Sequence, residues 1–283
     1  MFFLSHSSTI EGLKSKLQLE YNALERHLVN LKMVINGEKS QLMLMSTNKK
    51  LQQITITAGG QTIRHQDTMK ILGITLSHNG KFDNHVRGGK TNLIRQIHSR
   101  MAMLRIIRPH IPLSKLAQVG NSVLTSTIAY GAAVWGETSE KNLNLIQRAQ
   151  TQAARIVLNI QRKKGSKQIH HRQDMLDELK WPNVQQIVFS TTVNLAKQAA
   201  SNVSSTDLNE LLNYTTPKLP RGPCRARIRN TAPCNRKGNG FSVRAVKNFN
   251  SLPPELTNKQ VSTISFKRKA KEHIRTILLL PKH

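Results

Sequence analysis

Arg87, Arg95, His98 and Arg105 recur at spacings that gather them within about a quarter turn of a helix with about 3.6 residues per turn. Further along, Lys218, Arg221, Arg225, Arg227, Arg229, Arg236, Lys237, Arg244 and Lys247 follow one another with no Asp or Glu between the first and the last. Rows of guanidinium and ammonium groups bind phosphodiesters: each cation neutralises a phosphate and releases a counterion, positioning a strand without reading its bases. The acids that normally accompany a solvated helix face are missing around the first row except for Asp83. Both rows are therefore candidate nucleic-acid contacts. The candidates from the second are Arg221, Arg225, Arg227, Arg229, Arg236 and Lys237.

Carboxylates are sparse by comparison. The aspartates Asp67, Asp83, Asp174, Asp177 and Asp207 include no adjacent pair, whereas two-metal phosphoryl transfer needs clustered carboxylate oxygens around each divalent ion. The sequence points to no catalytic residue and to no metal or other cofactor for this chain alone. Gly88-Gly89-Lys90-Thr91 has the end of a phosphate-binding loop without its first glycine or a preceding strand. His110, His170 and His171 have no Ser or Cys in a nucleophile context. Cys224 and Cys234 lack the Cys and His companions of a zinc site and read as reduced thiols.

These side chains need elements to hold them. Ser8 to Met33 is predicted to be a helix with Leu13, Leu17, Leu24, Leu28 and Leu31 on one face and Ser8 and Glu11 as a capping box. Short β-prone runs follow at 41–46 and 53–57. Ala58-Gly59-Gly60 fits a hairpin loop before Thr62-Ile63, and 70–76 adds a strand. Helical periodicity returns from Phe82 to His110, with Val86, Leu93, Ile97, Met101 and Leu104 on the inner side. Pro112 starts a helix to about Ala129. Tyr130 to Trp135 reads as a turn whose Tyr130, Val134 and Trp135 anchor packing, base stacking by Trp135 being the competing use. Ser139 opens a helix with Ile146 and Val157 inward and Arg148 and Arg155 outward. Shorter helices are expected over 174–180, 184–200 and 208–212, a loop over 214–240, and a last helix over 263–280. Phe241, Phe249 and Phe266 are expected in the core.

The fold class is α+β and predominantly helical. A length of 283 residues with 38% hydrophobic residues suffices for a core, and a net charge of +28 with a pI near 10.9 makes a polyanion the expected partner. No run approaches the roughly 20 apolar residues that span a bilayer. Met1-Phe2-Phe3-Leu4 meets Ser5 and His6 before a signal-peptide core can develop. The expectation is an intracellular protein of nucleus or cytoplasm, neither secreted nor membrane-bound.

Four landmarks in order carry a resemblance. Asn36-Gly-Glu-Lys39-Ser40 follows a Leu-rich helix, and Lys70-Ile-Leu72-Gly73-Ile74 follows a hairpin. Tyr130-Gly131 with Val134-Trp135, then Asn250-Ser-Leu252-Pro253 before Ser265-Phe266-Lys267, complete the set. The chain thereby resembles the C-terminal part of a non-LTR retrotransposon reverse transcriptase of the jockey or CR1 type. One departure is Phe249, where that family often has Trp.

The resemblance implies three regions: a palm edge with short antiparallel strands over 1–77, a helical thumb over 78–161, and a basic helical and loop region over 162–283. It places Lys39 near the phosphates of an incoming nucleotide, and Leu72 and Gly73 at the primer grip. For Gly73 the residues alone equally suit a bulge in a strand, and for Lys39 an ordinary loop lysine. The Ala-Asp-Asp turn whose carboxylates hold magnesium in the intact polymerase is expected just upstream of Met1. The chain alone is thus expected to bind RNA and DNA as a template-primer duplex without polymerising. A free-standing basic structural or regulatory RNA- or DNA-binding protein is the alternative.

Overall fold

The computed structural model describes residues 5–45, 54–160, 172–201, 208, 212–215, 227–230, 241–257 and 261–277. The chain separates into two units, Met1–His85 and Val86–His283.

In the first unit helix α1 (Ile10–Asn30) is capped by Thr9, one residue beyond the expected Ser8, because the Thr9 hydroxyl accepts from the Gly12 amide at 3.2 Å. It ends before Met33, since Lys32 takes a left-handed φ of 56°, and Leu31 is exposed instead of completing the apolar face. Strands β1 (Thr55–Ala58) and β2 (Gln61–Arg64) form the expected hairpin, with Gly59 and Gly60 both at positive φ. The Gln18 amide pairs with β1 as a neighbouring strand would, accepting from Thr57 N at 3.0 Å and donating to Thr57 O at 2.9 Å. This covers part of an otherwise open sheet edge. The Tyr21 hydroxyl accepts from Gly59 N at 2.6 Å, and Leu13, Tyr21, Leu42, Ile54, Ala58 and Ile63 form the core beneath.

The stretch 70–76 is not one strand. Strands β3 (Thr68–Ile71) and β4 (Ile74–Ser77) pair antiparallel, Ile71 opposite Ile74, around a two-residue turn in which Leu72 has φ 46° and Gly73 φ 82°. Two consecutive left-handed residues reverse the chain, so Gly73 serves a turn and not a bulge. The run beginning at Gln41 contributes a single parallel bridge, Leu42 to His65. Asp67 links the two hairpins: its carboxylate lies 3.5 Å from His65 Nε2 and 3.6 Å from His78 Nδ1, and its carbonyl accepts from His78 N at 2.9 Å.

The predicted helix Phe82–His110 is two. A short turn, α2 (Asp83–Val86), stops before Gly88 and Gly89, and α3 (Leu93–Ile107) begins anew. The Asn92 side chain makes the restart, accepting from Arg95 N at 2.9 Å and donating to Gly89 O at 3.1 Å. There follow α4 (Leu113–Ala129), α5 (Ala132–Trp135), α6 (Glu140–Val157, capped by Ser139 as expected), α7 (Arg172–Glu178) and α8 (Val184–Ala200). Beyond them lie α9 (Phe241–Asn250), α10 (Pro254–Thr257) and α11 (Thr263–Ile277).

The loop expected over 214–240 contains strand pairing. Strand β5 (Leu212–Thr215) runs antiparallel to β6 (Arg227–Asn230), Tyr214 opposite Ile228. Leu212, placed by its sequence in a short helix, heads β5 and is buried. Its run alternates apolar and polar residues with the period of a strand, a signal too short to stand out beside the prolines and glycines that follow.

Helix α8 is the centre of the second unit. It packs against α4, α5 and α6 and also against α9, α11 and β5. Trp135 is fully buried and donates from Nε1 to the Tyr130 carbonyl at 2.8 Å, which excludes base stacking in this fold. Tyr130 and Val134 are exposed, so of the three expected anchors only Trp135 packs. Phe249 and Phe266 stack 6.3 Å apart in the α8 core, as expected of them. Trp181 lies over Gly120 and donates to the Ala117 carbonyl at 3.0 Å.

Two outcomes are expected. A Cβ on Gly120 would stand 2.6 Å from the Trp181 ring, so Gly120→Ala should lower stability in urea unfolding by about 1–3 kcal/mol. His85, which accepts from Thr75 N at 3.4 Å, is held below the usual imidazole range first by burial and then by the Lys70 charge. The unfolded chain therefore binds the proton more readily. The resulting stability is present above about pH 6.5 and is lost as pH falls through the depressed folded pKa. The urea midpoint of the first unit should fall over that range, and less so in His85→Gln.

Candidate nucleic-acid interface

Helix α3 turns Leu93, Ile97, Met101 and Leu104 into the core, and this spacing of three and four leaves Arg95, His98, Arg100 and Arg105 exposed. Three of the four residues expected on one basic face, Arg95, His98 and Arg105, lie on this helix. Arg87 does not: it follows α2 in the Gly88-Gly89 break, and the face is shorter than the sequence suggests. Arg95 is also partly committed, donating from Nη1 to the Lys90 carbonyl at 3.3 Å.

Where the C-terminal ends of α3 and α6 meet, Arg105, Arg108 and Arg155 line one cleft of about 470 Å³. Gln152, Ile156, Asn159 and Ile160 complete its wall. The end of α6 is shaped by a left-handed Asn159 at φ 57°, with Asn159 N donating to Ile156 O at 3.3 Å and Ile160 N to Arg155 O at 3.0 Å. Carbonyl ends of helices carry partial negative charge, which favours clustered guanidiniums there. Helical spacing through His110 does not single out Arg108, which the structure places on the 3-10 turn Arg108–His110. Its position three residues after Arg105 was the available signal.

The second basic row divides. Arg227 and Arg229 lie in β6, opposite Thr215 and Asn213. Arg221, Arg225, Arg236 and Lys237 lie outside the described residues. Lys247 is exposed. Arg244, counted with the phosphate-binding row, is instead turned inward: its Nη2 donates to the Ala133 carbonyl at 2.5 Å, tying α9 to α5. Burial pushes the Arg244 guanidinium down and the Glu137 carboxyl up, and the attraction between the two opposes both shifts without cancelling them. Lys197 is buried with its ammonium 5.7 Å from the centre of the Phe266 ring.

In the first unit, Lys39 is exposed on the 3-10 turn Gly37–Lys39, its amide donating to Asn36 Oδ1 at 3.1 Å. Gly37 has no room for a side chain, since a Cβ would stand 2.7 Å from the Ala58 carbonyl. Leu72, 76% exposed and left-handed, forms the tip of the β3–β4 hairpin with Gly73. A large apolar residue at positive φ is uncommon and is held there by the hairpin turn.

No protein-family model matches the chain, and no solved structure matches it significantly. It is 28% identical over 155 residues to the RNA-directed DNA polymerase from mobile element jockey of Drosophila melanogaster. That match covers 54% of this chain and 16% of the polymerase, so the chain spans well under two thirds of that relative. The similarity supports a distant relationship to a retrotransposon reverse transcriptase. No helix among the described residues is long and apolar enough to cross a membrane.

Exposed and inward arginines should separate in one experiment. Arg105→Ala is expected to weaken binding to a generic RNA–DNA hybrid and to reduce the salt slope by about one phosphate, with an unchanged melting temperature. Arg244→Ala is expected to cost about 1.5–3 kcal/mol of stability, the range for a hydrogen bond from a charged group, with an unchanged salt slope.

Proposed function

We propose that this chain is part of a mobile-element RNA-directed DNA polymerase and supplies nucleic-acid-binding surfaces without the catalytic aspartates. The observation that carries the reading is the helical basic surface of α3 and α6, on which Arg105, Arg108 and Arg155 meet with no carboxylate in the cleft wall. Support comes from the order of the four sequence landmarks and from the distant similarity to the jockey polymerase.

In this reading residues 1–77 are a palm edge, 78–161 a thumb and 162–283 a basic C-terminal region. Lys39 neighbours the phosphates of an incoming nucleotide, and Leu72 with Gly73 forms the primer grip. The exposed hairpin tip suits that use, since Leu72 can meet a strand while the turn backbone stays fixed. RNA and DNA are the partners, held through phosphates as a template-primer duplex, in an intracellular setting.

Magnesium in such polymerases stabilises the attacking and leaving oxygens of phosphoryl transfer. Among the described residues no three His, Cys, Asp or Glu side chains are grouped as such an ion would require. Asp67 is shared between His65 and His78, Asp83 begins α2, and Asp174 and Asp177 stand on α7. Polymerisation by the intact protein would draw its metal ligands from elsewhere.

The test pairs binding with synthesis. Affinity for an RNA–DNA hybrid should fall with a slope of log K against log salt of about −3 or steeper, as expected for three or more neutralised phosphates. Primer extension with magnesium or manganese should yield no product from this chain alone. A flat salt profile would remove the nucleic-acid reading, and robust synthesis would contradict the absence of catalytic aspartates.

A further inference from the structure

Among the Lys and Arg residues whose side chains the structure describes, all are exposed except Lys197, Arg244, Arg108 and Arg155. Lys197 lies against the Phe266 ring and Arg244 on the Ala133 carbonyl. Arg108 and Arg155 have no such internal explanation. They are half-buried together beside Arg105, and none of the three guanidiniums has a hydrogen-bond or acidic partner among the described residues. Withdrawing two like charges from water into one cleft is unfavourable in a chain of net charge +28, and the helix carbonyl ends offset only part of it. An anion that several guanidiniums can share would complete the site.

We propose that the Arg105–Arg108–Arg155 cleft binds a terminal phosphate monoester with its attached nucleoside, the 5′-phosphate end of a nucleic-acid strand. A monoester carries about −1.5 to −2 charge and three strong acceptor oxygens, against a single charge on a phosphodiester. Guanidiniums meet such oxygens two at a time, so three arginines match a monoester better than a backbone phosphate. The cleft volume of about 470 Å³ lies within the roughly 300–1,000 Å³ range of small-molecule sites. Beyond the phosphate, Gln152 and Asn159 offer amides for the edge of a base or sugar, and Ile156 and Ile160 an apolar wall for its face. A duplex presents its phosphates on a convex flank, whereas a strand end can enter a concavity. The proposal rests on the nucleic-acid reading and assigns the cleft to strand ends, next to the exposed α3 face with which it shares Arg105.

Fluorescence anisotropy with the full chain and a 3′-labelled 12-nucleotide single strand tests this, comparing a 5′-phosphate with a 5′-hydroxyl. The 5′-phosphate strand is expected to bind about tenfold more tightly, and adenosine 5′-monophosphate should remove that preference while adenosine does not. Inorganic phosphate competing as well as the nucleotide would overturn the nucleoside part of the site. Arg108→Gln with Arg155→Gln should abolish the preference, weakening the 5′-phosphate strand more than the 5′-hydroxyl strand until the two bind equally, with exposed Lys14→Gln on α1 as a control that keeps the preference. Equal affinity of the unaltered chain for the two ends overturns the proposal but leaves the nucleic-acid reading intact. Failure of both strands to bind at low salt overturns the nucleic-acid reading itself. Because the unaltered chain already discriminates the two ends, misfolding of the double variant would not obscure the result.

Discussion

Mutual repulsion of cations constrains everything else in this molecule. Forty-three Lys and Arg share the chain with fifteen Asp and Glu, so ion pairing can neutralise only a minority and the fold must stand on apolar burial. Asp67 pairs with both His65 and His78. The helical unit meets the constraint with α8, whose Val193, Ala196 and Ala199 are buried with Phe249, Leu252 and Phe266 while its opposite side supports α4, α5 and α6. Small residues on α8 let neighbours approach closely. Gly136 is part of the same packing, as a Cβ there would stand 2.5 Å from a Val188 methyl.

With the core assembled from apolar groups, cations remain at the surface unless a specific acceptor draws them in. Arg244 shows how specific that must be: it bridges α9 to the α5 turn by one bond to a carbonyl and sits beside a carboxyl that burial itself discourages from ionising. The same arginine in a solvated row would stand free for an anion. The core thus decides which arginines serve the fold and which stay at the surface.

Periodic information was legible in the sequence. The inward faces of α3 and α6, the Ser139 cap and the Gly59-Gly60 hairpin all follow from local patterns read at the right period. Competing local chemistry was harder to read. Asn92 restarts a helix where apolar spacing alone ran through, and Leu72 adopts a left-handed turn that its type disfavours. The candidate site was half legible. His98 and Arg105 could be placed by helical spacing, but the meeting of Arg105, Arg108 and Arg155 depends on how two helix ends pack. The inward turn of Arg244 depends on a partner more than a hundred residues away in sequence. No pattern within either segment encodes those pairings.

Exposed and cleft arginines of the α3–α6 surface are proposed to hold nucleic acid, whereas Arg244 ties α9 to α5. Arginine modification by phenylglyoxal, read residue by residue by mass spectrometry with and without an RNA–DNA hybrid carrying a 5′-phosphate, tests it most directly. The account expects Arg105, Arg108 and Arg155 to react in the free protein and to be protected in the complex, with Arg244 unreactive in both. A complex that leaves those three as reactive as before, or protection confined to other regions, would contradict it.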